Sequence, residues 1–110
     1  MTLPRLDEPA GSPVATVQQL LAALADPIRL EMVRRLMNAG SPQPCAVLYD
    51  GINKSTATHH FKILREAGLT ERSMIDGQTH QRLRIDDVDT AVPGLLTAIV
   101  GSVNREAGSA

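Results

Sequence analysis

Tryptophan is absent, and Tyr49 and Phe61 are the only aromatic residues among 110. A core must therefore be assembled from Leu, Val, Ile, Ala and Met, which suits packed helices better than an all-β sandwich. Cysteine is equally scarce, and Cys45 alone cannot close an intrachain disulfide. The amino terminus lacks the basic segment and following apolar run of about 7–15 residues that mark a secretory signal, so a cytoplasmic location is expected. No apolar stretch reaches the roughly 18–20 residues that a bilayer requires. Asp26, Arg29, Glu31, Arg34 and Arg35 interrupt the richest region, and the expectation is a soluble chain without a membrane partner. Catalytic arrangements are missing too: there is no phosphate-cradling glycine loop, no serine in a nucleophile elbow and no His-Glu-x-x-His. The chain is not expected to be an enzyme or to carry a cofactor.

What is present describes a folded chain of one domain, since hydrophobic residues make up 43% and charged residues 21%, far from the composition of disordered segments. The net charge of −1 gives no reason to expect a polyanion as partner. Its distribution does. Residues 53–84 carry Lys54, Lys62, Arg65, Arg72, Arg82 and Arg84 against Glu66, Glu71 and Asp76, a local charge of +3, while the rest of the chain sums to −4. All three histidines, His59, His60 and His80, lie in the same window. A positive face on an otherwise acidic small domain is the electrostatic footprint of nucleic-acid binding.

Residues 1–12, with Pro4, Pro9 and Gly11 and no periodicity, read as a flexible arm. Residues 13–106 read as the folded domain, and 107–110 as a frayed end. With Ser12 as N-cap and Pro13 at the first helical position, Val14, Val17, Leu20, Leu21 and Leu24 predict a helix over 13–25. Asp26-Pro27 repeats that start signal, and Asn38-Ala39-Gly40 stops a second helix over 27–39. Ser41-Pro42-Gln43-Pro44 reads as a loop and Cys45 to Tyr49 as one or two helical turns. From Asn53 to Gly68 an amphipathic helix is expected, with Ala57, Phe61 (or His60), Leu64 and Ala67 on the apolar stripe. Its opposite face shows Lys54, Ser55, Thr58, His59, Lys62 and Arg65. Asp76-Gly77 predicts a tight hairpin between strands 69–75 and 78–85. Alternation along the second strand puts His80, Arg82 and Arg84 on one exposed face, opposite Leu83 and Ile85. Asp86, Asp87 and Asp89 then introduce a last helix, roughly 93–105 with Pro93 in its early turn. Leu95, Leu96, Ile99, Val100 and Val103 give it more apolar surface than a single-sided contact needs.

The predicted fold is mainly α with a small β-hairpin, in the order α-α-α-α-β-β-α, the layout of a winged helix-turn-helix. A polar helix fits the roughly 12 Å major groove, and a hairpin beside it can lie along the neighbouring backbone. The hydroxyls and free N–H groups at the start of that helix, Asn53 to Thr56, suit phosphate. Thr58, His59 and Lys62 are the candidates for base edges, and His80, Arg82 and Arg84 for phosphates along the hairpin. Two motifs then make a resemblance specific. Leu24-Ala25-Asp26-Pro27-Ile28-Arg29-Leu30 is similar to the Leu-Ala-Asp-Pro-Thr-Arg-Leu opening of the ArsR family of bacterial winged-helix repressors. Ser55 to Leu69, ending Leu64-Arg65-Glu66-Ala67-Gly68-Leu69, resembles that family's recognition-helix signature and its exit into the wing. The similarity spans about residues 14–104. It implies a homodimer, clasped by the first and last helices through Val17, Leu20, Leu21, Leu95, Leu96, Ile99, Val100 and Val103, that binds a two-fold-related double-stranded DNA operator and represses transcription.

The chain departs from the metal-sensing members of that family. One class carries a cysteine-rich segment before the recognition region, where this chain has only Cys45. Another strings His and acidic ligands along the last helix, where residues 93–110 hold no His and only Glu106 as a carboxylate. Neither site can be built, because a tight site needs several N or S donors converging on one point. His59 and His60 point about 100° apart on a helix and cannot easily share an ion. His80 with Asp86 and Asp87 could form an acid-rich site, although a solvated or phosphate-facing histidine is the plainer reading. The Asp86, Asp87 and Asp89 group is explained by turn and helix-start duty. Cys45 reads as a small core residue, with a redox-sensing thiol as the alternative. No metal is expected, and the effector stays unassigned. The contrasting function is a protein-interaction module that docks a partner through its apolar last helix.

Overall fold

Pro13 to Ala15 do not start a helix. They run along the end of a later one, where the Ala15 N–H donates to the Ala67 carbonyl at 3.0 Å. This computed structural model describes residues 13–108; the arm expected over 1–12, with its Ser12 cap, and residues 109–110 lie outside the described residues. Gly68, at φ +81°, makes the close passage possible: a Cβ there would sit 2.7 Å from the Pro13 carbonyl oxygen and from Val14 Cα. The first helix, α1 (Val17–Leu24), therefore begins four residues later than expected, at a capping box. Thr16 Oγ1 accepts from the Gln19 N–H (3.2 Å), and Gln19 Oε1 accepts from the Thr16 N–H (3.1 Å).

Helix α2 (Pro27–Ala39) has the predicted bounds because its signals are local. Asp26 Oδ1 accepts from the N–H groups of Ile28 (2.8 Å) and Arg29 (3.0 Å), and Gly40 takes the left-handed conformation, φ 70°, that ends the helix. Burial pushes the Asp26 carboxyl up, but those two N–H donors and the charge of Arg29 outweigh it and hold the group below its ordinary value.

The stretch read as a loop contributes a short strand, β1 (Gln43–Pro44), followed by a 3-10 helix (Cys45–Leu48) and then α3 (Lys54–Glu66). Strands β2 (Thr70–Ile75) and β3 (Gln78–Leu83) form the hairpin, in register Thr70 with Leu83 through Ile75 with Gln78. Asp76 (φ 51°) and Gly77 (φ 75°) both adopt positive φ, the geometry of a two-residue type I′ turn. β1 adds antiparallel to the other edge of β3, Pro44 opposite His80, so the sheet order is β1-β3-β2.

Asp86 and Asp87 belong to a separate two-turn helix, α4 (Ile85–Ala91), anchored by the fully buried Val88. A turn in which Gly94 N–H donates to Asp89 Oδ1 (2.9 Å) then leads to α5 (Leu95–Gly108). Pro93 thus lies in the link and not in the helix, and α5 continues through residues 107–108, where fraying was expected. The fold is the anticipated winged helix-turn-helix, with β1 and α4 added. Leu20, Leu24, Met32, Val33, Leu36, Leu48, Phe61, Leu64, Leu69, Val88, Leu96 and Val100 form its core. Paired amides join α5 to α2, each of Asn38 and Asn104 donating Nδ2 to the other's Oδ1 (3.1 and 2.9 Å).

Candidate nucleic-acid interface

Helix α3 sorts its residues as amphipathicity demands. Ala57, His60, Phe61 and Leu64 are buried, while Lys54, Ser55, Thr56, Thr58, His59 and Lys62 are exposed and Arg65 is half-buried. Asn53 starts the helix, its Oδ1 accepting from the Thr56 N–H at 2.8 Å. Helix geometry leaves the N–H groups of Lys54 and Ser55 without intrahelical acceptors, so they point outward at the positive end of the dipole. Thr58 Oγ1 donates to the Lys54 carbonyl at 2.8 Å. Its lone pairs remain available, which suits Thr58 to accept from an exocyclic amine of adenine or cytosine.

His60, on the same helix, takes a structural role. Arg29 Nη1 lies 3.1 Å from His60 Nδ1, and Arg29 Nε donates to the Ala23 carbonyl at 2.7 Å. A guanidinium only donates, so Nδ1 is the acceptor there and the ring proton sits on Nε2. The Asp26 carboxylate lies 3.9 Å from the same nitrogen. Arg29 thereby ties the end of α1 to the middle of α3 and fixes how α3 is presented.

The hairpin differs from expectation. His80 and Arg84 are buried, at 9% and 8% exposure, and only Arg82 is open. His80 lies on the central strand, between Ser73 and Pro44 of its two neighbours, with Nδ1 3.0 Å from the Gln78 carbonyl. Arg84 falls beyond β3 and immediately precedes α4, where Nε and Nη2 each sit 3.1 Å from Asp87 Oδ2. Arg82 pairs with Glu71 directly across the hairpin, at 2.6 Å. The expected exposed row of three cations is thus reduced to one, already matched by a carboxylate.

A different hairpin cation faces α3. Arg72 stands opposite Gln81 in the hairpin register, on the sheet face of Leu83 and not of Arg82. That face and α3 enclose a cleft of about 520 Å3 whose lining includes Lys54, Thr58, Phe61, Arg65, Arg72 and Gln81. Among the described residues, Lys54, Arg65 and Arg72 have no ion-pair partner. Arg72 was not singled out from the sequence, yet the signal was there: a two-residue turn at Asp76-Gly77 pairs residue 75 with 78 and so 72 with 81.

The expected dimer seam is also thinned. Leu20, Leu96 and Val100 are almost fully enclosed by the chain's own core, at 0%, 4% and 2% exposure, and have no surface to offer a second subunit. Val17 and Leu21 on α1 remain about half exposed, and Leu95, Ile99 and Val103 on α5 are partly exposed.

Comparison with known proteins places this arrangement. A family of helix-turn-helix domains matches residues 24–73, from the end of α1 into β2. An uncharacterized HTH-type transcriptional regulator of Bacillus subtilis (strain 168), YceK, is 37% identical over 83 residues, spanning 74% of this chain and 83% of its own. Among solved structures, the transcriptional repressor BigR from Xylella fastidiosa aligns with a TM-score of 0.56 at 27% identity, over 68% of this chain and 78% of its own. An ArsR-like transcriptional regulator from Rhodococcus sp. RHA1 shares the fold, with a TM-score of 0.59 at 19% identity, over 84% of this chain and 86% of its own.

Proposed function

This chain belongs to the ArsR family of winged helix-turn-helix transcriptional regulators, and from that premise we propose that it is a cytoplasmic repressor that binds a palindromic operator as a homodimer. The observation that carries the reading is the set of exposed polar and cationic side chains on α3, backed by Lys54, Arg65 and Arg72, which have no counter-ion among the described residues. Ser55, Thr56 and the first-turn N–H groups take phosphate, with Lys54, Arg65 and Arg72 beside them. Thr58, His59 and Lys62 meet base edges in the major groove. Arg82, exposed but matched by Glu71, adds a peripheral contact, and His80 and Arg84 act by holding the wing in shape.

One reading head covers only half of a palindrome, so a second copy is required, with half-sites about 10–10.5 base pairs apart. The exposed apolar side chains of Val17 and Leu21, with Leu95, Ile99 and Val103, supply the seam. The test is a titration of the promoter duplex over a salt series, combined with sedimentation. A repressor of this kind sediments as a dimer and loses affinity steeply with salt, because bound counterions are released. Charge introduced at Ile99 should abolish both dimer and operator binding. A monomer that ignores its promoter at every salt concentration would overturn the reading and favour a protein-docking module.

A further inference from the structure

The cleft between α3 and the hairpin holds more than a phosphate contact surface requires. Its volume, about 520 Å3, falls within the roughly 300–1,000 Å3 of small-molecule sites. Phe61 gives it an apolar wall, and three cations, Lys54, Arg65 and Arg72, stand around it without a single carboxylate in the lining. At its back is Gln81, 1% exposed. The Gln81 amide is poorly served by the protein: Nε2 has Cys45 Sγ at 3.5 Å, a weak acceptor, and Oε1 has no hydrogen-bond partner. A buried amide left this way is destabilising, and a half-turn about its terminal bond can present either end to the cleft.

We infer that this cleft is an effector site for a small hydroxylated organic acid with a flat apolar body, and that its occupation competes with DNA. Water could meet the Gln81 amide but would leave the three cations unmatched. A DNA phosphate could meet the cations but not an amide at the back of a cleft. A molecule carrying a carboxylate at one end and a hydroxyl at the other satisfies both, and its ring covers Phe61. Because Lys54 and Arg65 also belong to the DNA-reading surface, the bound acid neutralises charge that the operator needs. The competition part of this inference rests on the DNA-binding reading above; the site itself does not.

The test uses three probes on the full chain without DNA, followed by amide NMR: 4-hydroxybenzoate, 4-methylbenzoate, which lacks the donor, and 4-hydroxybenzyl alcohol, which lacks the charge. The inference expects 4-hydroxybenzoate to move the signals of Cys45, Phe61 and Gln81, with the other two probes binding at least tenfold more weakly. Gln81→Leu should bring 4-hydroxybenzoate down to the level of 4-methylbenzoate, and a melting temperature at or above that of the native protein shows that the variant folds. In a second step, 4-hydroxybenzoate should release promoter DNA from the native protein. Equal binding of the three probes, shifts confined to the outer face of α3, or no shift at millimolar concentration would each overturn the site. Binding with the expected ranking but without release of DNA would overturn the competition and retain the site, and failure to bind DNA at all would count against the regulator reading alone.

Discussion

Helix α2 and the face built by α3 and β2 carry similar numbers of cations and use them in opposite ways. On α2, Glu31 accepts from Arg34 Nε and Nη2 (2.8 and 2.7 Å) and from Arg35 Nε (2.7 Å). Arg35 also reaches the Val47 carbonyl (3.1 Å) and Asp50 (2.5 Å), so the network pins the 3-10 helix and the loop before α3 onto α2. On the other face Lys54, Arg65 and Arg72 have no counter-ion among the described residues, and Lys62 is 4.0 Å from Glu66 with both side chains more than half exposed. A guanidinium whose fork already grips a carboxylate has little left for a phosphate. One held in place without a partner keeps its full attraction for an incoming anion. The two faces differ less in how many cations they carry than in how many of those cations are matched.

The sharpest way to break this comparison is to remove cations from each face in turn. Arg65→Ala with Arg72→Ala should lower affinity for the promoter duplex by roughly 100-fold at low salt, with little change in melting temperature. Arg34→Ala with Arg35→Ala should do the reverse, lowering the melting temperature while the folded protein still binds DNA. If fluorescence anisotropy gave equal losses for the two pairs, the division of labour would not exist.

A smaller effect distinguishes reading from holding within α3. His59→Ala should cost about 1–3 kcal/mol at one base position of the operator and little elsewhere. Competition among operator variants checks this, and an unchanged ranking would remove His59 from the reading set.

The paired face also has a pH signature. Hydrogen bonding from Arg34, reinforced by Arg35 and opposed by burial, lowers the Glu31 carboxyl from 4.5 to about 2. A depressed folded-state value means that the stabilisation is complete above about pH 4.5 and is lost as pH falls toward 2. Glu31→Gln should therefore melt below the native protein at pH 7, with the gap closing through that window. A gap that stayed constant down to pH 2 would contradict the assignment. Least of all, Lys62→Ala should relax base preference at the position it meets and, because a cation leaves the groove, reduce the slope of log affinity against log salt by at most about one. An unchanged base preference would move Lys62 from the base-reading residues to the phosphate contacts.

Local signals made much of this molecule legible. Asp26-Pro27 and Gly40 bound α2, Asp76-Gly77 forces a two-residue turn, and the apolar stripe of α3 exposes the predicted face. Where the structure departs from the local signals, the cause is the same: contacts from distant parts of the chain. The start of α1 moved because Pro13 to Ala15 are captured by the far end of α3. β1 has no local signal, because two residues, one a proline, carry no periodicity, and only pairing with β3 makes them a strand. Alternation alone predicts His80 and Arg84 to be exposed, but it gives the side of a strand and not what covers it. The expected dimer seam includes Leu20, Leu96 and Val100, and the chain's own core absorbs them.

The amino-acid order by itself determined the elements whose ends and turns are written within a few residues, together with the polar face of α3. Tertiary structure alone decided which cations face solvent unmatched, which histidine is wedged under Arg29, and that a cleft with an unsatisfied amide lies between α3 and the hairpin. The physical reason is range. Caps and turns are settled by hydrogen bonds between near neighbours, whereas burial and ion pairing depend on residues brought together from distant parts of the chain.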